Sequence, residues 1–174
     1  MQITIAEVNM LDQERFVALL GPLFEQSPWI AADAWPRRPF ASLHELHGAL
    51  CSVMYRATPK QQVALIQAHP DLVGRAARAG TLTPESRGEQ ASAGLDQLSP
   101  EEIAAFMEMN RAYHERFGFP FVICVRENRK AAILAGFRAR LDHARGDEIR
   151  TALGEIAKIS HLRLLDRVRS DTEG

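Results

Sequence analysis

Cysteine is scarce in this chain of 174 residues, with Cys51 and Cys124 each alone inside an apolar run. Two isolated thiols build neither a disulfide framework nor a Cys-rich metal site, and both are expected as reduced core residues of an intracellular protein. Charge of one sign is also missing. A formal net charge of -1 supplies no basic field for a polyphosphate backbone, which argues against nucleic acid as a ligand. No apolar run is long enough to span a bilayer, and charges interrupt "MQITIAEVNMLDQERF" too early for a signal peptide or a membrane segment. There is no glycine-rich phosphate loop and no Gly-x-Ser-x-Gly elbow, so phosphoryl transfer and serine hydrolysis lose their usual sequence support. The ending "RSDTEG" reads as a frayed polar tail without a peroxisomal tripeptide, which leaves the cytoplasm as the expected location. Internal repeats and low-complexity tracts are absent, and strand signals are few.

What the chain has in quantity is helix punctuation. "NMLDQERFVALLGPLF" spaces Phe16, Leu19, Leu20, Leu23 and Phe24 at three and four, the stripe of an amphipathic helix. Ser42 stands three residues before Glu45, the pattern of a reciprocal cap, and opens a helix carrying Leu43, Leu46, Leu50 and Met54. Thr58 and Gln61 flank Pro59 in the same way, and that helix runs toward Ala68. "TPES" at Thr83 and "SPEE" at Ser99 start two more, the second closing at Gly118. Asn128 is expected to cap "RKAAILAGFRARLDHA", and Gly146 to separate it from a last long helix. The prediction is an all-α, single-domain bundle (1-174) of about seven helices. One segment does not fit: "FPFVIC" wants an extended conformation but has no second strand to pair with. This connector, near residues 119-126, must give its backbone groups other partners, either side chains and water or a polar ligand.

Three places could carry chemistry. His69 precedes Pro70, so the helix from Thr58 should end there, and a helix C-terminus favours a protonated imidazole. The residue is then either a proton donor near neutral pH or a cap on the last carbonyls. Counted from Thr83, the positions Ser86, Glu89, Gln90 and Ala93 share one helix face, which is either a polar wall or a solvated surface. In the last helix Arg163 falls in the stripe of Ile149, Leu153, Ile156 and Ser160. A buried guanidinium needs either an internal carboxylate, for which Glu89 is a candidate, or an anionic ligand gripped in bidentate fashion. "HELH" spaces His44 and His47 at three, whereas zincin geometry needs four with the acid between, so no metal site is expected from this pair.

The blocks "AHPDL", "TPESRGEQASAGLDQLSPEE", "NRAYHERFGFPFVICVREN" and "EIAKISHLRL" together resemble the signature of the 2-oxo-4-hydroxy-4-carboxy-5-ureidoimidazoline (OHCU) decarboxylase family, in family order and at family spacing across nearly the whole chain. The resemblance implies an all-helical, cofactor-free enzyme, typically a homodimer, that forms (S)-allantoin late in urate breakdown from a ureidoimidazoline substrate. It implies His69 and Glu89 as catalytic residues and Ser86, Gln90 and Arg163 as substrate contacts. Pro70, Phe119, Val122 and Ile123 correspond to pocket lining. Two rivals compete with this expectation: a non-catalytic helical module that binds ureides, and a metal-dependent amidohydrolase using His44, His47 and His69.

Overall fold

Helix caps written into the sequence become the joints of the structure. The computed structural model describes residues 2-171, in which ten α-helices and one two-residue strand pair are found. The expected class holds, with three more helices than the seven expected. Thr172, Glu173 and Gly174 of the expected polar tail lie outside the described residues, while Val168 and Arg169 form a strand instead.

The chain divides into two compact units, one comprising Met1–Leu65 with Ala157–Gly174 and the other Ile66–Ile156. In the first, β1 (Ile3–Thr4) pairs in parallel with β2 (Val168–Arg169). Thr4 and Glu7 cap each other reciprocally to start α1 (Ile5–Met10), and Asp12 caps α2 (Gln13–Leu20) through the Arg15 N–H. Of the expected stripe, Phe16, Leu20, Leu23 and Phe24 are buried and Leu19 is half-buried, and the α-helix gives way at Gly21 to a 3-10 turn, Gly21–Leu23. α3 (Trp29–Ala34) follows. Ser42 then opens α4 (Leu43–Arg56) by accepting the Glu45 N–H, while the Glu45 carboxylate accepts the N–H of Ala41 rather than that of Ser42. Leu46, Leu50 and Met54 line the buried side of α4. Thr58 and Gln61 form their reciprocal cap at the head of α5 (Pro59–Gln67).

The second unit holds α6 (Arg75–Ala79), α7 (Pro84–Ser92), α8 (Pro100–Phe117) and α9 (Lys130–Arg140). The last helix, α10 (Arg145–Leu165), runs from this unit into the first. Ser99 and Glu102 cap α8 reciprocally, and Gly118 closes it at φ +77°, a left-handed conformation that costs glycine little. Two expectations need correction here. Asn128 does not cap α9; its Nδ2 donates to the Cys124 carbonyl, and α9 begins after Arg129 without a side-chain cap. Gly146 does not separate two helices either, because α10 starts one residue earlier. The core of this unit is aromatic: Tyr113 meets Phe117, Phe119, Phe121 and Phe137, and Phe121 stacks on Phe137 at 3.8 Å. No helix among the described residues is long and apolar enough to cross a membrane.

Candidate active site

His69 sits just past the end of α5, where its backbone N–H donates to the Ile66 carbonyl at 3.1 Å, and its side chain is buried. The loop that follows, residues 68-74, is held tightly. Gly74 N–H donates to the Asp71 carbonyl, and a Cβ at Gly74 would lie 2.5 Å from the Asp71 Cβ, so only glycine fits that turn. Asp71 meets His114 Nε2 at 2.7 Å, and Asn110 Nδ2 donates to the Leu72 carbonyl at 2.8 Å. Val73 is in the left-handed region, with φ +55°, which is a strained conformation for a β-branched residue.

The polar face of α7 turns inward. Ser86 and Gln90 are buried, and Glu89 and Ala93 are half-buried, so the solvated-surface reading of this face fails for Ser86 and Gln90. Thr83 sets the start of the helix by accepting the Ser86 N–H. Gln90 Oε1 accepts the N–H of Val73 at 3.2 Å, which ties α7 to the loop beyond His69. With its oxygen so used, the Gln90 amide presents Nε2 as its donor.

The connector between α8 and α9 is extended and without a strand partner, as expected. Side chains take several of its backbone groups. Gln67 donates to the Gly118 carbonyl, Arg140 Nη1 to the Val122 carbonyl at 2.7 Å, and Cys124 N–H finds Glu155 Oε2 at 3.3 Å. The amide N–H groups of Val122 and Ile123 have no acceptor among the described residues. Phe119, Pro120 and Val122 are buried and Ile123 is half-buried. α7 packs against the 3-10 turn Val125–Glu127 that ends the connector. Burial pushes the Cys124 thiol up to about 11, with smaller contributions from the negative charges of Glu127, Glu155 and Glu89. The second unit therefore contains His69, Pro70, Ser86, Glu89, Gln90, Phe119, Val122 and Ile123; Gln90 ties α7 to the His69 loop, and packing against Val125–Glu127 sets α7 beside the connector.

Arg163 belongs to the first unit. It is buried, as its stripe predicted, and its Nη2 pairs with Glu25 Oε1 at 3.0 Å while Nη1 donates to the Pro22 carbonyl. Glu25 is a buried carboxylate that sequence reasoning missed. It lies 138 positions from Arg163 and off the apolar stripe of α2, so no spacing rule points to it. His44 is exposed, whereas half-buried His47 places Nε2 against the Ala157 carbonyl and Ser160 Oγ, with Cys51 Sγ at 3.3 Å. No cluster of three His, Cys, Asp or Glu side chains suited to a metal ion occurs among the described residues.

The family model for OHCU decarboxylase matches residues 9–165. The chain belongs to the OHCU decarboxylase family. The 2-oxo-4-hydroxy-4-carboxy-5-ureidoimidazoline decarboxylase of Haloferax volcanii is 42% identical over 170 residues, spanning 98% of this chain and 99% of that protein. The enzyme of the same name from Mus musculus is 40% identical over 162 residues, spanning 93% and 91%. A crystal structure of OHCU decarboxylase in the presence of (S)-allantoin shares the fold, with a TM-score of 0.68 at 21% identity over 90% of this chain and 97% of that one. Members of the OHCU decarboxylase family are decarboxylating lyases, and the chain is a carboxy-lyase of that family.

Proposed function

We propose that this chain decarboxylates 2-oxo-4-hydroxy-4-carboxy-5-ureidoimidazoline to (S)-allantoin in urate breakdown. It works as a cytoplasmic homodimer of a single-domain subunit (1-174), without a cofactor. The observation that carries the reading is 42% identity to a decarboxylase of this name over almost the full length of both chains. The chemistry supports it. Loss of CO2 leaves an electron pair, and the ring imine next to the departing carboxylate accepts it, its nitrogen taking up a proton from solvent, so no external electron sink is needed. The protein must then hold the substrate, stabilise developing charge and deliver one proton to one face of the ureido-bearing carbon.

His69 carries that proton from the hydroxyl to the carbon, and Glu89 sets the orientation and charge of the imidazole. Buried Ser86, the Nε2 of Gln90 and the Val122 and Ile123 amides offer hydrogen bonds to a polar heterocycle between the apolar surfaces of Pro70 and Phe119. Arg163 enters on the family resemblance, as a guanidinium for the carboxylate or ureido group; in its own unit Glu25 holds it in place. To test the reading, the substrate is generated from urate with upstream enzymes and the optical activity of the allantoin is followed. Racemic product at the uncatalysed rate removes the lyase assignment. His69→Asn should lose roughly a hundredfold to ten-thousandfold in turnover with an unchanged circular dichroism spectrum. Near-normal turnover in that variant removes His69 from the mechanism while leaving the lyase assignment standing.

A further inference from the structure

Asn110 is buried on α8, and its Oδ1 is a buried side-chain polar atom with no hydrogen-bond partner among the described residues. Native interiors hold few such atoms, and each calls for a reason. The amide cannot simply be flipped. Its Nδ2 donates to the Leu72 carbonyl at 2.8 Å, and exchanging nitrogen for oxygen would set two acceptors against each other. An apolar side chain of similar shape would fill the space and leave no orphaned oxygen. Asparagine is thus useful at this position for the donor it aims at Leu72.

Leu72 lies three residues after His69, and the next residue, Val73, is the one in the left-handed region. A β-branched residue holds such a conformation only when its surroundings over-determine it. Here two primary amides from two helices do so: Asn110 takes the carbonyl of Leu72, and Gln90 Oε1 takes the N–H of Val73 at 3.2 Å. One turn beyond Asn110 on the same face of α8, His114 grips Asp71 at 2.7 Å. Strain held at functional sites commonly accompanies preorganisation.

We propose that Asn110 is a positioning residue for the decarboxylation, acting through the 68-74 loop: with Gln90 it clamps Leu72 and Val73 and so fixes the backbone that presents the His69 imidazole. The inference rests on the functional reading above. It predicts a catalytic defect out of proportion to any loss of fold, because a displacement near 1 Å at a reacting group can cost up to about a hundredfold.

The test compares Asn110→Asp, Asn110→Leu and His69→Asn with wild type, using the full chain and substrate generated in situ, for kcat and KM between pH 6 and 8.5. An ionised aspartate cannot donate to Leu72, but a protonated one can. Each variant is therefore expressed as a ratio to wild type, which removes the pH dependence common to both proteins, including any from His69 and Asp71 in the loop, Glu85 and Glu89 on α7 and Glu101, Glu102, Glu108, His114 and Glu115 on α8. Expected for Asn110→Asp is a kcat lower by about tenfold or more at pH 8, little change in KM, and a ratio that recovers as pH falls. Asn110→Leu should stay low at every pH. A wild-type kcat in Asn110→Asp, or a ratio as flat with pH as that of Asn110→Leu, overturns the clamp. If the aspartate does not fold, neutral Asn110→Ser replaces it: depressed kcat at unchanged KM supports the clamp, and wild-type kcat overturns it. Normal turnover in His69→Asn removes His69 from the mechanism, the part of the functional reading on which the clamp rests, whereas an inactive His69→Asn beside a normal Asn110→Asp undoes the clamp alone.

Discussion

Glu148 has no exposed surface, and three side chains converge on it: Arg140 Nε at 2.9 Å, His143 Nδ1 at 2.8 Å and the Tyr113 hydroxyl. Arg140 is itself buried, lies 4.3 Å from the centre of the Phe121 ring, and spends Nη1 on the Val122 carbonyl. The network therefore connects α8, α9 and α10 to the extended connector. Glu148→Leu preserves bulk but strands a buried guanidinium and a buried phenol. Removing one partner of a buried pair costs about 3–5 kcal/mol. For a chain of this size each kcal/mol moves the midpoint of thermal unfolding by about 2–4 °C, so a drop of roughly 6–20 °C is expected.

The double variant Arg140→Leu/Glu148→Leu discriminates between mechanisms. It removes both charges, so the stranded-ion penalty vanishes, and what remains is the unpaired Val122 carbonyl and the Tyr113 hydroxyl, at about 1–3 kcal/mol for each such group. The double variant should thus be more stable than the sum of the two single variants by at least about 1 kcal/mol. Urea unfolding followed by circular dichroism measures all four corners of the cycle. A Glu148→Leu cost below about 1 kcal/mol, or strict additivity, would refute the reasoning, since either result means that the guanidinium finds water or another partner.

Two further outcomes follow from titrating groups. His47 has a pKa below its ordinary 6.5, first because of burial and then because of the positive neighbours His161 and His44. A lowered value in the folded state means that the unfolded chain binds more protons, so this contribution to stability is present above pH 6.5 and is lost as pH falls through the folded value. Urea midpoints should therefore drop between pH 6.5 and 5, and His47→Gln should flatten that drop; an identical slope in the variant counts against the assignment. Burial pushes both thiols, Cys51 and Cys124, up to about 11. At pH 8 only about one thiol in a thousand is then ionised, so a disulfide reagent should titrate neither residue promptly in the folded protein and both in denaturant. Immediate stoichiometric reaction of the native chain would contradict their burial.

What was legible in the sequence was local. Thr58, Thr83 and Ser99 announced α5, α7 and α8 because a cap satisfies donors within three residues of itself. The apolar stripe of Phe16, Leu20, Leu23 and Phe24 was readable for the same reason. α1, α3 and α6 were missed because helices of five or six residues contain fewer than two turns, too few for a period to show. Asn128 misled because an asparagine can serve a carbonyl behind it as readily as the helix ahead of it. The candidate site divides in the same way. The inward stripe position of Arg163 was visible, but the identity of its partner was not, since Glu25 is distant in sequence.

The same distinction separates two kinds of fragility in this fold. Among the proposed site residues, His69 and Pro70 stand on a loop and Phe119, Val122 and Ile123 on an unpaired connector, where no ladder of backbone hydrogen bonds fixes the geometry. Their positions depend instead on single side-chain-to-backbone bonds: Asn110 to Leu72, Gln90 to Val73, Arg140 to Val122 and Glu155 to Cys124. Where the clamping group is a neutral amide, its loss leaves no stranded charge, and the cost falls mainly on local geometry and hence on turnover. Where it is an ion held by another ion, as with Arg140 and Glu148, loss of either leaves an uncompensated buried charge and the whole unit pays in stability. Substitutions at Asn110 and at Glu148 should therefore move activity and unfolding in different proportions, although Asn110 bonds the backbone that serves the proposed site and Glu148 reaches it through Arg140 alone.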